Sequence, residues 1–304
     1  MPRLRLPWSH RLRSALEIFQ EYRRSNLDNV TGQLALHRKL GALIWQYAGR
    51  DLSRLKVLEI GCGQRAVQTM LFTADDIEVT GIDTEIATFV LGPKAFWRIV
   101  RVNGLERAAK SLVRHVFFDA SFFSQLSRRY GKALPLNGVD VRVMDAACLD
   151  FPDDVFDVIF STRVFEHIAD VPGAVAEVNR VLKPDGFAWI NIHLFPSLSG
   201  GHHKEWTNPR AGDSKKVPPW DHLRENRYPA DDSLNRLKLA DYRRIFGERL
   251  NVVGEELVTE GKEILTASLE MQLKQKGYSR EDLLTREAAF LCRKRRSGPG
   301  GPGG

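Results

Sequence analysis

The amino-acid sequence predicts an α/β protein built on a doubly wound, mostly parallel sheet. Two observations carry this prediction. Short segments rich in Val and Ile alternate with helical patterns between residues 55 and 193, which is typical of parallel strands joined by covering helices. The first of these segments runs into the glycine-rich turn "GCG" and then into a helical pattern, a step at which backbone N–H groups converge.

Seven segments are predicted as strands, in the chain order 55–61, 77–83, 139–145, 155–161, 186–193, 251–258 and 287–294. The patterns at 66–72, 170–182 and 239–250 indicate helices. Apolar side chains from about residue 10 to residue 50 also recur at near-helical spacing. These elements predict one main domain over 51–294, preceded by a helical N-terminal cap over 1–50.

Two insertions interrupt the alternation of strands and helices. The segment 84–137 reads as helical and basic, and 194–236 reads as a long loop rich in Gly, Pro, His and Trp. Because Trp side chains are costly to leave in a disordered loop, we expect 194–236 to form a lid on the acceptor side. The glycine-rich residues 295–304 predict a disordered tail.

Composition favours a cytoplasmic protein. The 304 residues include three cysteines without a CxxC pair, which argues against a disulfide framework and a structural zinc site. No apolar run approaches the roughly 18–20 residues of a membrane span, and the N-terminus lacks the apolar block of a signal peptide. The net charge of +7 is concentrated near the two ends, which leaves open peripheral contact with an anionic membrane or partner.

The turn after the first predicted strand is compatible with two cofactors. "GCGQRA" satisfies the pattern G-x-G-x-x-A of dinucleotide sites, and Asp83 at the end of the second predicted strand could hold ribose hydroxyls of either cofactor. Glu59 discriminates between them, because its carboxylate would repel a pyrophosphate and attract the cationic amino-acid end of S-adenosylmethionine.

Four segments resemble the class I S-adenosylmethionine-dependent methyltransferases, especially the small-molecule group that includes ubiquinone-biosynthesis enzymes. They are "VLEIGCG", "GIDTE", "VMDAACLDFPDDVFDVIFSTRVFEHIAD" and "VNRVLKPDGFAWINI". The resemblance covers 55–193 apart from the first insertion, and the last sixty residues more loosely. It implies a Rossmann-like fold whose sheet ends in an antiparallel pair. The segment 194–236 resembles methyltransferases associated with bacterial surface polysaccharides.

Carried over position by position, the resemblance implies roles for eight residues in cofactor binding. Glu59, Gly61 and Gly63 would form the turn under the methionine moiety, and Asp83 would bind the ribose hydroxyls. Asp145 and Ala146 would contact the adenine, and Ser161 and Thr162 would line the floor of the site near the sulfonium. The chain departs from many relatives at Gln64-Arg65, where they carry a further glycine, and in the long first insertion.

Histidines after the fourth and fifth predicted strands are candidates for acceptor chemistry. His167 and His193 are the candidate bases, which a hydroxyl acceptor would need. The predicted acceptor contacts in the lid are His202, His203, Trp206, Trp220 and His222. His202, His203 and Glu205 lack the i, i+4 helical spacing of a ready-made metal site, so we predict no metal.

These observations predict methyl transfer from S-adenosylmethionine, with O-methylation of a small-molecule or glycan-type acceptor. Two alternatives stay open: a nicotinamide-dependent oxidoreductase, and a non-catalytic protein that docks on a membrane or partner through its basic ends. The basic insertion carries no recognised RNA-binding motif, and its charges alternate with apolar residues at helical spacing. We therefore do not predict a nucleic-acid partner.

Overall fold

The computed structural model describes residues 29–48, 54–85, 119–207 and 216–295, with residues 97, 100–101 and 104–105 between them. Most of the predicted N-terminal cap, much of the basic insertion and nearly all of the tail lie outside these residues. The proposed membrane or partner contact through the basic ends therefore concerns residues that the structure does not describe.

The described elements follow the predicted order. The helices are α1 (29–48), α2 (Val67–Ala74), α3 (Ala120–Tyr130), α4 (Val171–Val181), α5 (Lys204–Thr207), α6 (Leu239–Arg249), α7 (Ala267–Gln275) and α8 (Arg280–Leu284). The strands are β1 (Lys56–Ile60), β2 (Glu78–Asp83), β3 (Asp140–Val143), β4 (Phe156–Thr162), β5 (Leu182–His193), β6 (Asn251–Thr259) and β7 (Thr285–Arg293). Short 3-10 turns cover Phe165–His167 and Asp221–Leu223.

The seven strands form one sheet in the order β3-β2-β1-β4-β5-β7-β6. Neighbouring strands from β3 to β5 are parallel, whereas β7 runs antiparallel to both β5 and β6. In this register Ile60 pairs with both Ile82 and Ser161. The carboxyl ends of β1, β2 and β4 therefore lie side by side, and the predicted fold class and terminal antiparallel pairing are confirmed.

Alternate residues of the central strands bury opposite faces of the sheet. On one face Leu58 and Ile159 belong to a core cluster covered by α4 and α6. On the other face Val57 and Phe160 pack in a cluster with residues of α1 and α2. Successive side chains of a strand point to opposite faces of the sheet, so each strand contributes to both clusters. This packing on both faces holds the loops at the strand ends in place.

The predicted N-terminal helix is present where the structure describes it. Leu40 and Ile44 of α1 are buried against the sheet, and Leu36, Leu43 and Tyr47 are half-buried beside them. His37 of the same helix lies 2.9 Å from a carboxylate oxygen of Asp75. These contacts place α1 over the sheet, beside the carboxyl-terminal end of α2.

The second insertion packs into a core of its own. Phe195, Leu198 and Trp220 cluster with Leu273 of α7 and Leu283 of α8. These two helices between β6 and β7 were not predicted from the sequence. The described parts of the segment, 194–207 and 216–236, are thus a well-packed part of the domain, and closing of the segment over an acceptor stays a prediction.

None of the helices in the described ranges combines the length and apolar character needed to span a bilayer.

Candidate active site

A cavity of about 520 Å³ opens at the carboxyl ends of the parallel strands. In open α/β sheets this edge is where ligands bind. Six of the residues assigned to the cofactor line it: Gly61, Gly63, Asp83, Asp145, Ala146 and Thr162. A neighbouring cavity of about 710 Å³ shares Gly61, Gly63 and Thr162 and adds Glu59. The structure therefore brings seven of the eight predicted residues to one site.

Asp83 holds the glycine turn in place. One oxygen of its carboxylate accepts a hydrogen bond from the backbone N–H of Gly63 at 2.8 Å, and the other accepts from the N–H of Glu85 at 2.9 Å. Gly61 and Cys62 donate their N–H groups to the carbonyl of Ile82. The loop after β1 is thus fastened to the end of β2 before any ligand arrives.

The two glycines of the turn are required for different reasons. Both have a positive backbone φ, +76° at Gly61 and +66° at Gly63. Residues other than glycine rarely adopt this conformation. A Cβ on Gly61 would fall inside the side chain of Val164, whereas a Cβ on Gly63 would meet no atom within 4 Å. Gly63 therefore leaves open space on the cavity side of the turn.

This difference predicts opposite outcomes for two alanine variants. We expect Gly61→Ala to destabilise the fold by about 2–4 kcal/mol, through steric overlap and backbone strain. We expect Gly63→Ala to cost only about 1 kcal/mol of strain while weakening binding of S-adenosylhomocysteine at least about tenfold. Urea unfolding and calorimetric titration measure the two effects. Equal loss of stability in both variants would contradict this assignment.

Glu59 is a buried carboxyl group at the wall of the larger cavity. Its side chain is 7% exposed, and one carboxylate oxygen accepts from both the N–H and the hydroxyl of Thr69, at 2.7 and 2.5 Å. Burial raises its pKa to about 7, the bonds from Thr69 oppose the rise, and the negative charge of Asp83 adds to it. A bound cation would favour the ionised form.

The remaining cofactor candidates differ in what their side chains do. Asp145 is exposed at the cavity, and one carboxylate oxygen accepts from the N–H of Ala147 at 2.9 Å. Thr162 reaches both cavities. Ser161 does not fit its predicted place on the floor: it is fully buried, and its hydroxyl donates to the carbonyl of Ile60 at 2.9 Å. Ser161 braces β4 against β1 instead.

Three of the predicted histidines meet beside this cavity. The ring of His202 lies 5.2 Å from that of His167 and 4.9 Å from that of His193, measured between centroids. His167 is exposed and lines the 520 Å³ cavity. The segment after β5 therefore folds back to place His202 next to the end of β4.

His193 lies in an environment that makes it a weak base. Its ring is buried, and this burial, together with His202, Arg286 and Arg163, lowers its pKa to about 3. Its Nε2 lies 2.8 Å from the hydroxyl of Ser199, which itself donates to a carboxylate oxygen of Glu260. Since Ser199 has one proton to give, Nε2–H of His193 is the donor in the first contact.

Two of the predicted acceptor contacts are corrected by the structure. Trp220 is fully buried in the insertion's core, in one cluster with Leu198 and Leu223. His222 is also buried, and its Nε2 donates to the carbonyl of Phe195 at 2.9 Å. Both side chains are occupied in packing, so neither presents a face to an acceptor.

The other predicted contacts are half-buried. Trp206 donates its indole N–H to the carbonyl of Val217 at 3.1 Å. Nε2 of His203 is buried and has no hydrogen-bond partner among the described residues. Glu205 accepts from the N–H of Val217 at 2.8 Å, which engages one oxygen of a side chain considered above as a metal ligand.

We expect Trp220→Ala to lower the free energy of unfolding by about 3–5 kcal/mol, because it opens a cavity in a packed core. Trp45 of α1 is 70% exposed, and Trp45→Ala is the matched control, with an expected change within about 0.5 kcal/mol. Urea unfolding measures both. A stable Trp220→Ala protein would contradict the structural role given to this side chain.

Glu166 is a functional candidate that the sequence did not reveal. It is 2% exposed, and neither carboxylate oxygen has a hydrogen-bond partner among the described residues. The main-chain N–H groups of Glu166 and His193 lie near the carboxylate. Burial raises its pKa to about 8, an effect that these N–H groups and the charge of Arg163 oppose.

Comparison with known proteins supports the resemblance to methyltransferases over part of the chain. Residues 101–190 match a family model described as a methyltransferase domain. The uncharacterized methyltransferase YcgJ of Bacillus subtilis is 47% identical over 51 residues, 17% of this chain and 20% of that protein. Arginine-hydroxylase NDUFAF5 of Danio rerio is 32% identical over 81 residues, 27% of this chain and 24% of that protein. The uncharacterized protein YafE of Escherichia coli is 31% identical over 96 residues, 31% of this chain and 44% of that protein.

The solved structure of YcgJ from Bacillus subtilis is similar over 86% of this chain and 100% of that chain, with 20% identity and a TM-score of 0.44. The matched segments span less than half the length of each curated relative. Residues 101–190 match a methyltransferase domain, which supports the resemblance of the chain to class I S-adenosylmethionine-dependent methyltransferases. S-adenosylmethionine is the cofactor of this family, which confirms the cofactor prediction. One relative is named a hydroxylase, so similarity to these relatives does not by itself specify the reaction of this protein.

Proposed function

We propose that this protein transfers a methyl group from S-adenosylmethionine to a hydroxyl group of a small-molecule or glycan-type acceptor. The observation that carries the proposal is the glycine turn fastened by Asp83, with the carboxyl of Glu59 in the adjoining cavity. When bound, S-adenosylmethionine supplies a methyl group activated by a sulfonium. All other contributions come from the chain itself.

The residues present fit this cofactor. The open space at Gly63 accepts a ligand close to the backbone, and Asp83 retains lone pairs for ribose hydroxyls beyond the two N–H bonds it accepts. Asp145 and Ala146 line the same cavity, where the adenine would bind. Glu59 supplies the negative charge for the amino-acid end, in a place where a pyrophosphate would be repelled.

The acceptor side of the proposal is supported by a third cavity of about 540 Å³. It shares Thr162 and Arg163 with both cofactor cavities. Its polar lining includes Lys39, Asn191, Thr207, Glu256 and Glu287. Amide, carboxylate, ammonium and hydroxyl groups of this kind suit an acceptor rich in hydroxyls. Alignment of that acceptor and exclusion of water would supply most of the rate enhancement.

The test is a methyl-transfer assay with S-adenosylmethionine and a panel of sugars, nucleotide sugars, phenols, carboxylic acids and amines. Mass spectrometry detects the methylated product, and the Asp83→Ala variant is the control for enzyme-dependent transfer. We expect methyl ethers of hydroxyl acceptors. Methylation of amines or carboxylates alone would retain the family's reaction and overturn the hydroxyl assignment.

A further inference from the structure

Three side chains with metal-binding atoms meet at the wall of the cofactor cavity. A carboxylate oxygen of Glu166 and one ring nitrogen each of His167 and His202 all lie within 4.8 Å of one another. They come from the turn after β4 and from the insertion after β5, so only the fold assembles them. Because His167 lines the 520 Å³ cavity, a group held by these three would be accessible from it.

Two of these side chains lack the partners that buried polar atoms normally have. Within the described ranges, both oxygens of Glu166 and the buried Nε2 of His202 make no hydrogen bond. Leaving a buried polar atom unpaired costs about 1–3 kcal/mol, and more for a charged one. A bound cation would provide the missing partner for both residues.

A neighbouring hydrogen-bond chain orients the third side chain. The hydroxyl of Ser233 donates to a carboxylate oxygen of Asp231 at 2.8 Å and lies 2.7 Å from Nδ1 of His167. Since the hydroxyl proton is used on Asp231, Nδ1–H of His167 is the donor, and the free lone pair of the ring is on Nε2. Metal-binding histidines are commonly oriented by such a contact at their other nitrogen.

We propose that Glu166, His167 and His202 bind a divalent first-row transition-metal ion such as Zn²⁺. Two imidazoles and one carboxylate suit these ions, whereas Mg²⁺ and Ca²⁺ prefer oxygen ligands throughout. Three protein ligands leave a position open for water or substrate. The charge of Arg163 opposes a cation here, and the charge of Asp231, which acts on both histidines, favours it.

The role of this ion rests on the proposed function. Its open position would take the hydroxyl oxygen of an acceptor that extends from the 540 Å³ cavity past Thr162 and Arg163, which line both cavities, into the 520 Å³ cavity. The ion would lower the pKa of that hydroxyl. The proton then passes to bulk water, and the electron pair stays on the oxygen bound to the ion. The hydroxyl would thereby be activated without a protein base.

The test is a titration of the untagged full-length chain, stripped with EDTA, with Zn²⁺ in competition with a chromophoric chelator. We expect one Zn²⁺ per chain and no displacement by Mg²⁺. Glu166→Gln and His202→Asn should each weaken binding at least about 100-fold. Asn suits residue 202 because its φ is +58°, where Asn is better tolerated than most residues. His203→Asn is the matched control and should change the affinity less than about twofold.

Absence of stoichiometric Zn²⁺ binding, or equal weakening by His202→Asn and His203→Asn, would overturn this site. Parallel titration of the same preparations with S-adenosylhomocysteine separates the two proposals. Binding of S-adenosylhomocysteine without Zn²⁺ contradicts the metal site and leaves the methyltransferase proposal intact. Binding of Zn²⁺ without S-adenosylhomocysteine supports the site and contradicts the proposed function.

Discussion

Replacing Asp83 by alanine is expected to weaken binding of S-adenosylhomocysteine at least about 100-fold, which corresponds to roughly 2.7 kcal/mol. The carboxylate holds the backbone N–H groups of Gly63 and Glu85 and faces the cavity where the ribose would bind. Hydrogen bonds to charged groups contribute about 1.5–3 kcal/mol each. The substitution therefore loosens the turn and removes a ligand contact together. Calorimetric titration measures the loss.

Asp140→Ala is the matched control for this variant. Asp140 lies at the amino-terminal end of β3, paired with Thr80 of β2, and its carboxylate accepts hydrogen bonds from Arg142 and Thr80 at the surface. Exposed pairs of this kind contribute little to stability, and we expect the affinity to change less than about twofold. Similar losses in both variants would mean that general destabilisation, rather than the turn, controls binding.

Glu59→Gln is expected to stabilise the ligand-free protein at pH 8 while weakening its binding of S-adenosylhomocysteine about 10- to 100-fold. The pKa of Glu59 is raised by burial from 4.5 to about 7, so the ionised group at pH 8 costs the folded state a few kcal/mol. Glutamine keeps the shape of the side chain and removes the charge. The same charge is what the cationic end of the ligand needs.

The pH dependence of this effect has a definite sign. A raised folded-state pKa favours folding below pH 4.5, and this contribution is lost as the pH rises through about 7. The stability gain of Glu59→Gln should therefore be small near pH 4.5 and largest above pH 7. Wild-type affinity for S-adenosylhomocysteine should rise between pH 6 and pH 8, because the cation binds the ionised carboxyl.

Urea unfolding and calorimetry across this pH range measure both quantities. The exposed Glu78 of β2 pairs with Lys56 at the surface, and Glu78→Gln is the control, with no expected change in either. If Glu59→Gln lost stability at pH 8, or kept full affinity, the assignment of Glu59 to the cationic end of the ligand would be wrong.

The fold was predictable because the signals that specify it are local. β1, β2 and β4 are short apolar runs followed by turns, and α4 and α6 carry apolar stripes that cover the sheet. α7 and α8 were missed because their apolar residues pack on the second insertion rather than on the sheet. Trp220 was assigned to the acceptor for the same reason: it packs in the core of the second insertion, and the residue type alone does not reveal this burial.

The residues of the site differ in the same way in how well the sequence predicts them. The glycine turn and Asp83 follow directly from strand ends, because parallel strands bring their carboxyl ends to one edge. Glu166 and His202 become neighbours only when the insertion folds back over the end of β4, and no spacing in the sequence encodes that contact. The buried, unpaired state of Glu166 is visible only in three dimensions.

The central claim is that the turn at Gly61–Gly63 binds S-adenosylmethionine. Its most direct test is calorimetric titration of the wild-type protein with S-adenosylhomocysteine, with NAD and NADP in parallel. We predict saturable one-to-one binding of S-adenosylhomocysteine and no binding of either dinucleotide. Binding of NAD or NADP in place of S-adenosylhomocysteine would contradict the account, because the carboxyl of Glu59 should repel their pyrophosphate.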